Sequence, residues 1–216
     1  MKPRILVIGQ LPPPLHGSNI MNYRFMQALR VNDYDARIVE KTFSRSMNEV
    51  GKTSYRKVLK VPELHRRVLA AVRSHHPNIC VYFISVGLQS LLVDCLVLSL
   101  LRKYRVPYIL YFHGKGYKQY EHPRYFAVRR VIRSALQGAF GGIVLGECLK
   151  RDISHCIRDE HLFVLPNGIP SVCKNQSLPI RNHDGVVRIL FLSNLIPAKG
   201  PMRFLKMAKL VYEQKP

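Results

Sequence analysis

The 216 residues include no tryptophan, and acidic side chains are scarce, with 13 Asp+Glu against 34 Lys+Arg. No apolar run reaches the roughly 20 residues that a membrane-spanning helix needs. The longest, Leu91–Leu101, contains Asp94 and is bounded by Arg102 and Lys103. The N-terminus, Met1-Lys2-Pro3-Arg4, leads into only a short apolar stretch before Gln10, too little for a secretory leader. A cytoplasmic location is therefore expected. Cysteine is sparse as well. Cys80, Cys95, Cys148, Cys156 and Cys173 are odd in number and form no C-x₂₋₄-C pair, which argues against a disulfide framework and a zinc finger. His155-Cys156 and His75-His76 stand isolated in the sequence, so no metal site is expected. Neither G-x-G-x-x-G nor a Gly-Lys-Ser/Thr P-loop occurs, which removes the fingerprints of dinucleotide enzymes and P-loop NTPases.

What is present is enough for a core: hydrophobic residues make up 47% of the chain. Strand and helix signals alternate, the pattern of a parallel sheet covered by helices. Arg4–Gly9 is a short apolar run suited to a buried central strand. Ser18 is placed to cap a helix with Met21, Phe25, Ala28 and Leu29 on one face. Further strands are expected at Ala36–Glu40, Asn78–Ser85, Pro107–Phe112, Gly141–Leu145 and Leu162–Leu165, with helices at Gly87–Tyr104, Arg124–Gln137 and Glu147–Cys156. Residues 1–166 thus read as one Rossmann-like domain with helices on both faces. Residues 167–185, rich in Gly, Pro, Asn and Asp, read as a linker. The pattern restarts at 186–216, where Val186–Ser193 reads as a buried strand and Gly200-Pro201 opens a helix. That piece is expected to be the opening of a truncated second Rossmann-like domain.

The net charge of +21 predicts attraction to something anionic. Lys52, Arg56, Lys57, Lys60, Arg66, Arg67 and Arg73 interleave with apolar residues at near-helical spacing, with Pro62 breaking the run in two. Arg129, Arg130 and Arg133 line the polar face of Arg124–Gln137. Such basic amphipathic segments suit the anionic surface of a membrane. Solvated outer faces of ordinary core helices are the plainer alternative. No zinc-finger, RNP or KH signature is present, so nucleic acid is not an expected partner.

In open parallel sheets ligands bind beyond the carboxyl ends of the strands. The loop after the first strand, Gly9-Gln10-Leu11-Pro12-Pro13-Pro14-Leu15-His16-Gly17-Ser18, is stiffened by its prolines. Its Gly17 lets a ligand approach the backbone where helix N–H groups become free. Tyr111-Phe112-His113-Gly114 puts a histidine at the carboxyl end of an apolar strand, within reach of a substrate hydroxyl. Ser193-Asn194-Leu195-Ile196-Pro197-Ala198-Lys199-Gly200 puts an ammonium beside a helix N-terminus, a combination suited to a diphosphate. Asp33-Tyr34-Asp35 has a metal-binding D-x-D spacing but precedes the second strand, away from those loops, and reads as a turn.

Taken in order, Pro12-Pro13-Pro14-Leu15-His16-Gly17, His113-Gly114, Asn167-Gly168-Ile169 and Ser193–Gly200 resemble motifs of the GT-B glycosyltransferases of family 4. Members often carry a P-P-P-x-H-G or related loop, a His-Gly, an N-G-(V/I) and a G-R-L-x-x-x-K-G in this sequence. The resemblance spans nearly the whole chain. It implies an acceptor-side domain and a nucleotide-sugar-binding domain facing a cleft, and retaining transfer from a sugar nucleotide without an obligatory metal or other cofactor. It further implies that His113 is catalytic, binding the transferring sugar or orienting the acceptor. By the same resemblance His16, Gly17, Gly114, Asn194 and Lys199 contact substrate, with Lys199 on the diphosphate. Asn194 stands where the family usually has Arg, and no Glu pair has the family's E-x₇-E spacing. The chain is accordingly expected to be incomplete and inactive by itself.

The resulting expectation is a transferase of cell-surface polysaccharide or lipopolysaccharide synthesis. Its partners would be a nucleotide sugar, a glycan or lipid-linked acceptor, and the inner face of the plasma membrane. The alternative is a non-catalytic half-transferase that holds an acceptor or a partner. A dinucleotide oxidoreductase using Glu40 on the ribose is disfavoured by the missing glycine fingerprint.

Overall fold

Arg4–Gly9 forms β1, and every residue after Arg4 is buried, as expected of a strand covered on both faces. The computed structural model describes residues 2–13, 15, 17–41, 61–168, 188–193, 195 and 197–214. It divides into two units, Met1–Ile169 and Pro170–Pro216.

In the first unit β1 is followed by α1 (Gly17–Val31), β2 (Asp35–Glu40), α2 (Val61–His75), β3 (Ile79–Ile84), α3 (Leu88–Lys103), β4 (Tyr108–Phe112), α4 (Phe126–Gln137), β5 (Gly141–Val144), α5 (Glu147–Lys150) and β6 (Leu162–Val164). The strands form one all-parallel sheet in the order β2-β1-β3-β4-β5-β6. Parallel neighbours require crossovers, and the helices lie on the faces of the sheet as the Rossmann-like expectation holds.

Alternate residues of each strand serve different faces. Leu6, Ile8, Tyr82, Leu110 and Phe112 pack into the larger core with α2, α3 and α4. Ile5, Val7, Val81, Phe83 and Tyr111 pack into the smaller core with Met26 of α1. Pro62 does not interrupt a helix here. It occupies the first turn of α2, where a missing N–H costs nothing, and the basic stretch before it, with Arg56, Lys57 and Lys60, lies outside the described residues.

The helix expected over Glu147–Cys156 stops at Lys150. Beyond it the backbone alternates between i−3 bonds (Cys156 N–H to Ile153 O) and i−4 bonds (Ile157 N–H to Ile153 O), giving turns rather than a helix. These turns drop Ile153 and Ile157 into the larger core. Asp33-Tyr34-Asp35 is the expected turn into β2: Asp33 adopts φ 61, a conformation Asp tolerates, and its carboxylate pairs with Lys2.

In the second unit the strand expected at Val186–Ser193 is not formed over its described part, Arg188–Ser193, and Leu190 and Leu192 are 80% and 89% exposed. A strand needs a neighbour to satisfy its backbone, and among the described residues of this unit there is no other strand. The helix α6 (Pro201–Gln214) does form, and Phe204 stacks on Phe191 at 5.0 Å. No helix among the described residues is long and apolar enough to cross a membrane.

Candidate functional site

Because β2 and β3 flank β1, the winding of the chain reverses between β1 and β3, and in sheets of this kind the crevice that takes ligands lies beyond the carboxyl ends of those strands. Three sequence-distant segments meet there. The Asn22 amide on α1 donates from Nδ2 to the Gln10 carbonyl after β1, at 2.8 Å. Its Oδ1 lies 2.6 Å from Nε2 of His113, at the end of β4. With the amide fixed by Gln10, Oδ1 can only accept, so His113 carries its proton on Nε2 and donates it. The other ring nitrogen, Nδ1, is then an acceptor; it is buried and has no hydrogen-bond partner.

His113 is half-buried, and its ring continues an aromatic stack. It lies 4.6 Å from Tyr111 and 5.4 Å from Phe83, both nearly parallel, while Phe25 of α1 meets Phe83 and Tyr111 edge-on. Burial pushes the imidazole pKa down to about 4, so the ring is neutral at pH 7. The stack also explains Gly9. A Cβ there would come within 2.4 Å of the Phe83 ring, so β1 can approach Phe83 only as glycine.

A second buried network supports the same edge of the sheet. Asp94, in the middle of α3, accepts from Lys41 Nζ at 2.9 Å, from Tyr82 OH at 2.7 Å and from the Ser85 N–H at 2.7 Å. Lys41 also donates to the Phe83 carbonyl at 2.6 Å. It follows β2, and Ser85 follows β3, so one carboxylate ties two carboxyl-end loops together. The charge of Asp94 inside an otherwise apolar helix was the available signal; its partner Lys41 lies too far off in sequence to be paired with it by pattern.

The loop after His113 is held differently. Asp152 accepts the N–H groups of Gly116, Tyr117 and Lys118 at 2.7, 2.9 and 3.2 Å. Tyr117 OH reaches the Ile84 carbonyl at 3.2 Å, securing the loop to the end of β3. A Cβ added at Gly114 would meet Val86 only at an ordinary van der Waals distance.

Of the other residues singled out by sequence, Gly17 begins α1, and a Cβ on it would meet nothing within 4 Å. His16 and Asn194 lie outside the described residues. Lys199 is exposed in the second unit and precedes Gly200, whose φ of +79 suits glycine before α6. Arg24 of α1 donates to the Gly168 carbonyl, tying the Asn167-Gly168 motif to the first unit.

Among the basic residues, Arg67 donates to the Glu40 carbonyl, Arg129 to the Glu121 carbonyl at 3.4 Å, and Arg133 pairs with the Glu121 carboxylate at 3.5 Å. The expected basic face of α4 is therefore partly engaged with the protein: Glu121 holds both Arg129, which is half-buried, and Arg133, which stays exposed. Arg66 and Arg130 are exposed, and beside Arg130 on α4 so are Val131 and Phe126, the latter 77% exposed.

The crevice thus offers a neutral imidazole, an amide and the N-terminus of α1, with no pair of carboxylates among the groups described around it. The hydrogen-bonding atoms of the Asn22 amide are engaged by Gln10 and His113, and the remaining ring nitrogen of His113 is buried. No protein-family model matches the chain, and no curated protein matches it.

Proposed function

We propose that this chain is the acceptor-side part of a retaining, sugar-nucleotide-dependent glycosyltransferase of the GT-B type, similar to family 4, serving polysaccharide or lipopolysaccharide synthesis. The observation that carries this reading is the Gln10–Asn22–His113 bridge, which joins the loops after β1 and β4 beside the crevice of a Rossmann-like sheet. It links two segments that the motif resemblance singles out independently. In this reading His113 and Gly114 contact the sugar or orient the acceptor hydroxyl, and His16 and Gly17 contribute backbone and side-chain polar groups. Lys199 meets the nucleotide diphosphate, and Asn194 contacts substrate. A fixed ammonium beside a helix N-terminus stabilises the charge that builds on a departing diphosphate. No resident cofactor is part of the proposal; the nucleotide sugar is a substrate.

The exposed Arg66 and Arg130, with Phe126 and Val131, support a peripheral contact with anionic lipid where a lipid-linked acceptor is presented. Co-sedimentation with anionic and neutral vesicles tests this contact, and equal binding to both removes it.

One observation favours a second reading, a binding module without turnover. His113 commits Nε2 to Asn22, and its Nδ1 is buried, so the ring offers no free nitrogen in this conformation. Calorimetric titration of the chain with nucleotide sugars and with oligosaccharide acceptors, alongside a transfer assay, separates the readings. Binding of both sugar nucleotide and acceptor by the chain, with acceptor binding lost in His113→Ala, supports the enzyme. Acceptor binding without sugar-nucleotide binding supports the module. Binding of NAD, with neither glycan nor sugar nucleotide bound, refutes both.

A further inference from the structure

His155 and Cys156 stand alone in the sequence, but the fold brings Glu121 to them. One ligand atom from each of the three lies within 4.8 Å of the others, and His155 Nε2 is already 3.7 Å from Glu121 Oε1. The geometry points to a divalent transition-metal site at Glu121, His155 and Cys156, with zinc the ion that this donor set suits. It is independent of the sugar-transfer reading and uses none of the crevice residues.

Several features carry it. The backbone on both sides is anchored: Ile153 and Ile157 bracket His155-Cys156 and are buried in the larger core. The Glu121 carbonyl accepts from Arg129, while its Oε2 is taken by Arg133 at 3.5 Å. That leaves Oε1 directed at the imidazole. An outer partner that orients a ligating carboxylate is a common support for metal sites. Around a tetrahedral ion with bonds of about 2.0–2.3 Å, ligand atoms sit about 3.3–3.8 Å apart, so closing requires the widest pair to move by about 1 Å. Rotamer changes of half-buried side chains cover that distance. Among the described residues His155 Nδ1 is buried without a hydrogen-bond partner, and the ring's Nε2 faces Glu121.

The donor types discriminate among ions. Calcium and magnesium take oxygen ligands, whereas one thiolate, one imidazole and one carboxylate match zinc or cobalt. On binding, the Cys156 S–H proton leaves to solvent as the metal–sulfur bond forms. Thiolate and carboxylate then balance the two positive charges of the ion. Solvent supplies the fourth position, since all three residues are only half-buried.

The test uses the full chain after treatment with a chelator. Titration with Co(II) should reach one equivalent and produce a thiolate-to-cobalt charge-transfer band that Zn(II) abolishes. Cys156→Ser should remove the band, Cys148→Ser should keep it, and Glu121→Gln should weaken binding by about tenfold or more. A readout on the unaltered chain guards against variants that fail to fold: saturating Zn(II) should slow alkylation of Cys156, mapped by mass spectrometry, while leaving exposed Cys148 reactive. Absence of the band refutes the site. So does a band that survives Cys156→Ser, or Cys156 alkylated equally fast with and without zinc.

Discussion

Removing the carboxylate of Asp94 should be the most damaging single change in the first unit. The Lys41 and Asp94 side chains are 6% and 1% exposed, so Asp94→Ala leaves an ammonium buried without its counter-charge. Breaking one side of a buried pair costs about 3–5 kcal/mol. The Tyr82 hydroxyl and the Ser85 N–H also lose their acceptor, worth about 1 kcal/mol or more each where water does not replace it. These contributions overlap, and a total of about 4–5 kcal/mol is a large part of the roughly 5–15 kcal/mol that holds a domain together. With a urea dependence of about 2 kcal/mol per molar, the unfolding midpoint should fall by about 2 M. Far-UV circular dichroism and tyrosine fluorescence read it, the latter free of tryptophan. The paired replacement Lys41→Met/Asp94→Leu should recover most of the loss, since an apolar pair of similar volume carries no desolvation cost. A midpoint shift below about 0.5 M for Asp94→Ala would refute the reasoning, because it would mean that water reaches Lys41.

Gly9→Ala forces a Cβ against the Phe83 ring and should cost about 1–3 kcal/mol, with displaced His113 ring resonances in NMR spectra. Gly17→Ala meets no atom and should raise the unfolding midpoint slightly, through helix propensity, while weakening glycan binding in calorimetry. The folded-state pKa of His113, about 4, lies below the ordinary 6.5. The unfolded chain therefore takes up the proton first as pH falls, and this contribution to stability is complete above pH 6.5 and lost on descent toward pH 4. His113→Gln should flatten that part of a stability–pH profile. Asn22→Asp sets an anion beside Nε2 and should raise the His113 pKa, seen as a ring titration at higher pH.

The layered architecture was legible because its strands are unbroken apolar runs bounded by Gly, Pro or polar residues. β1 has the expected bounds, β2 starts one residue earlier at Asp35, and β3 and α3 lose only their end residues. Those signals are local, carried by side chains within one element. The strand expected at Val186–Ser193 is not formed over its described part, 188–193, for a converse reason: its composition suits a sheet, but a sheet is a property of neighbours, and none is described beside it. Site residues divide the same way. His113 and Gly17 stood out because a strand end or helix start marks them. Asn22 reads as a polar interruption of an amphipathic helix, and its use appears only when β4 lies close enough to meet it. Glu121 is separated from His155 by three elements, α4, β5 and α5, so no spacing rule joins them.

The clasp of Asp152 on the Gly116–Lys118 turn bears on what the neighbouring crevice can accept. Three amide hydrogens that would otherwise welcome a phosphate are already engaged by a tethered anion, and a free one would have to evict it. On that flank an incoming anion finds none of these three N–H groups free.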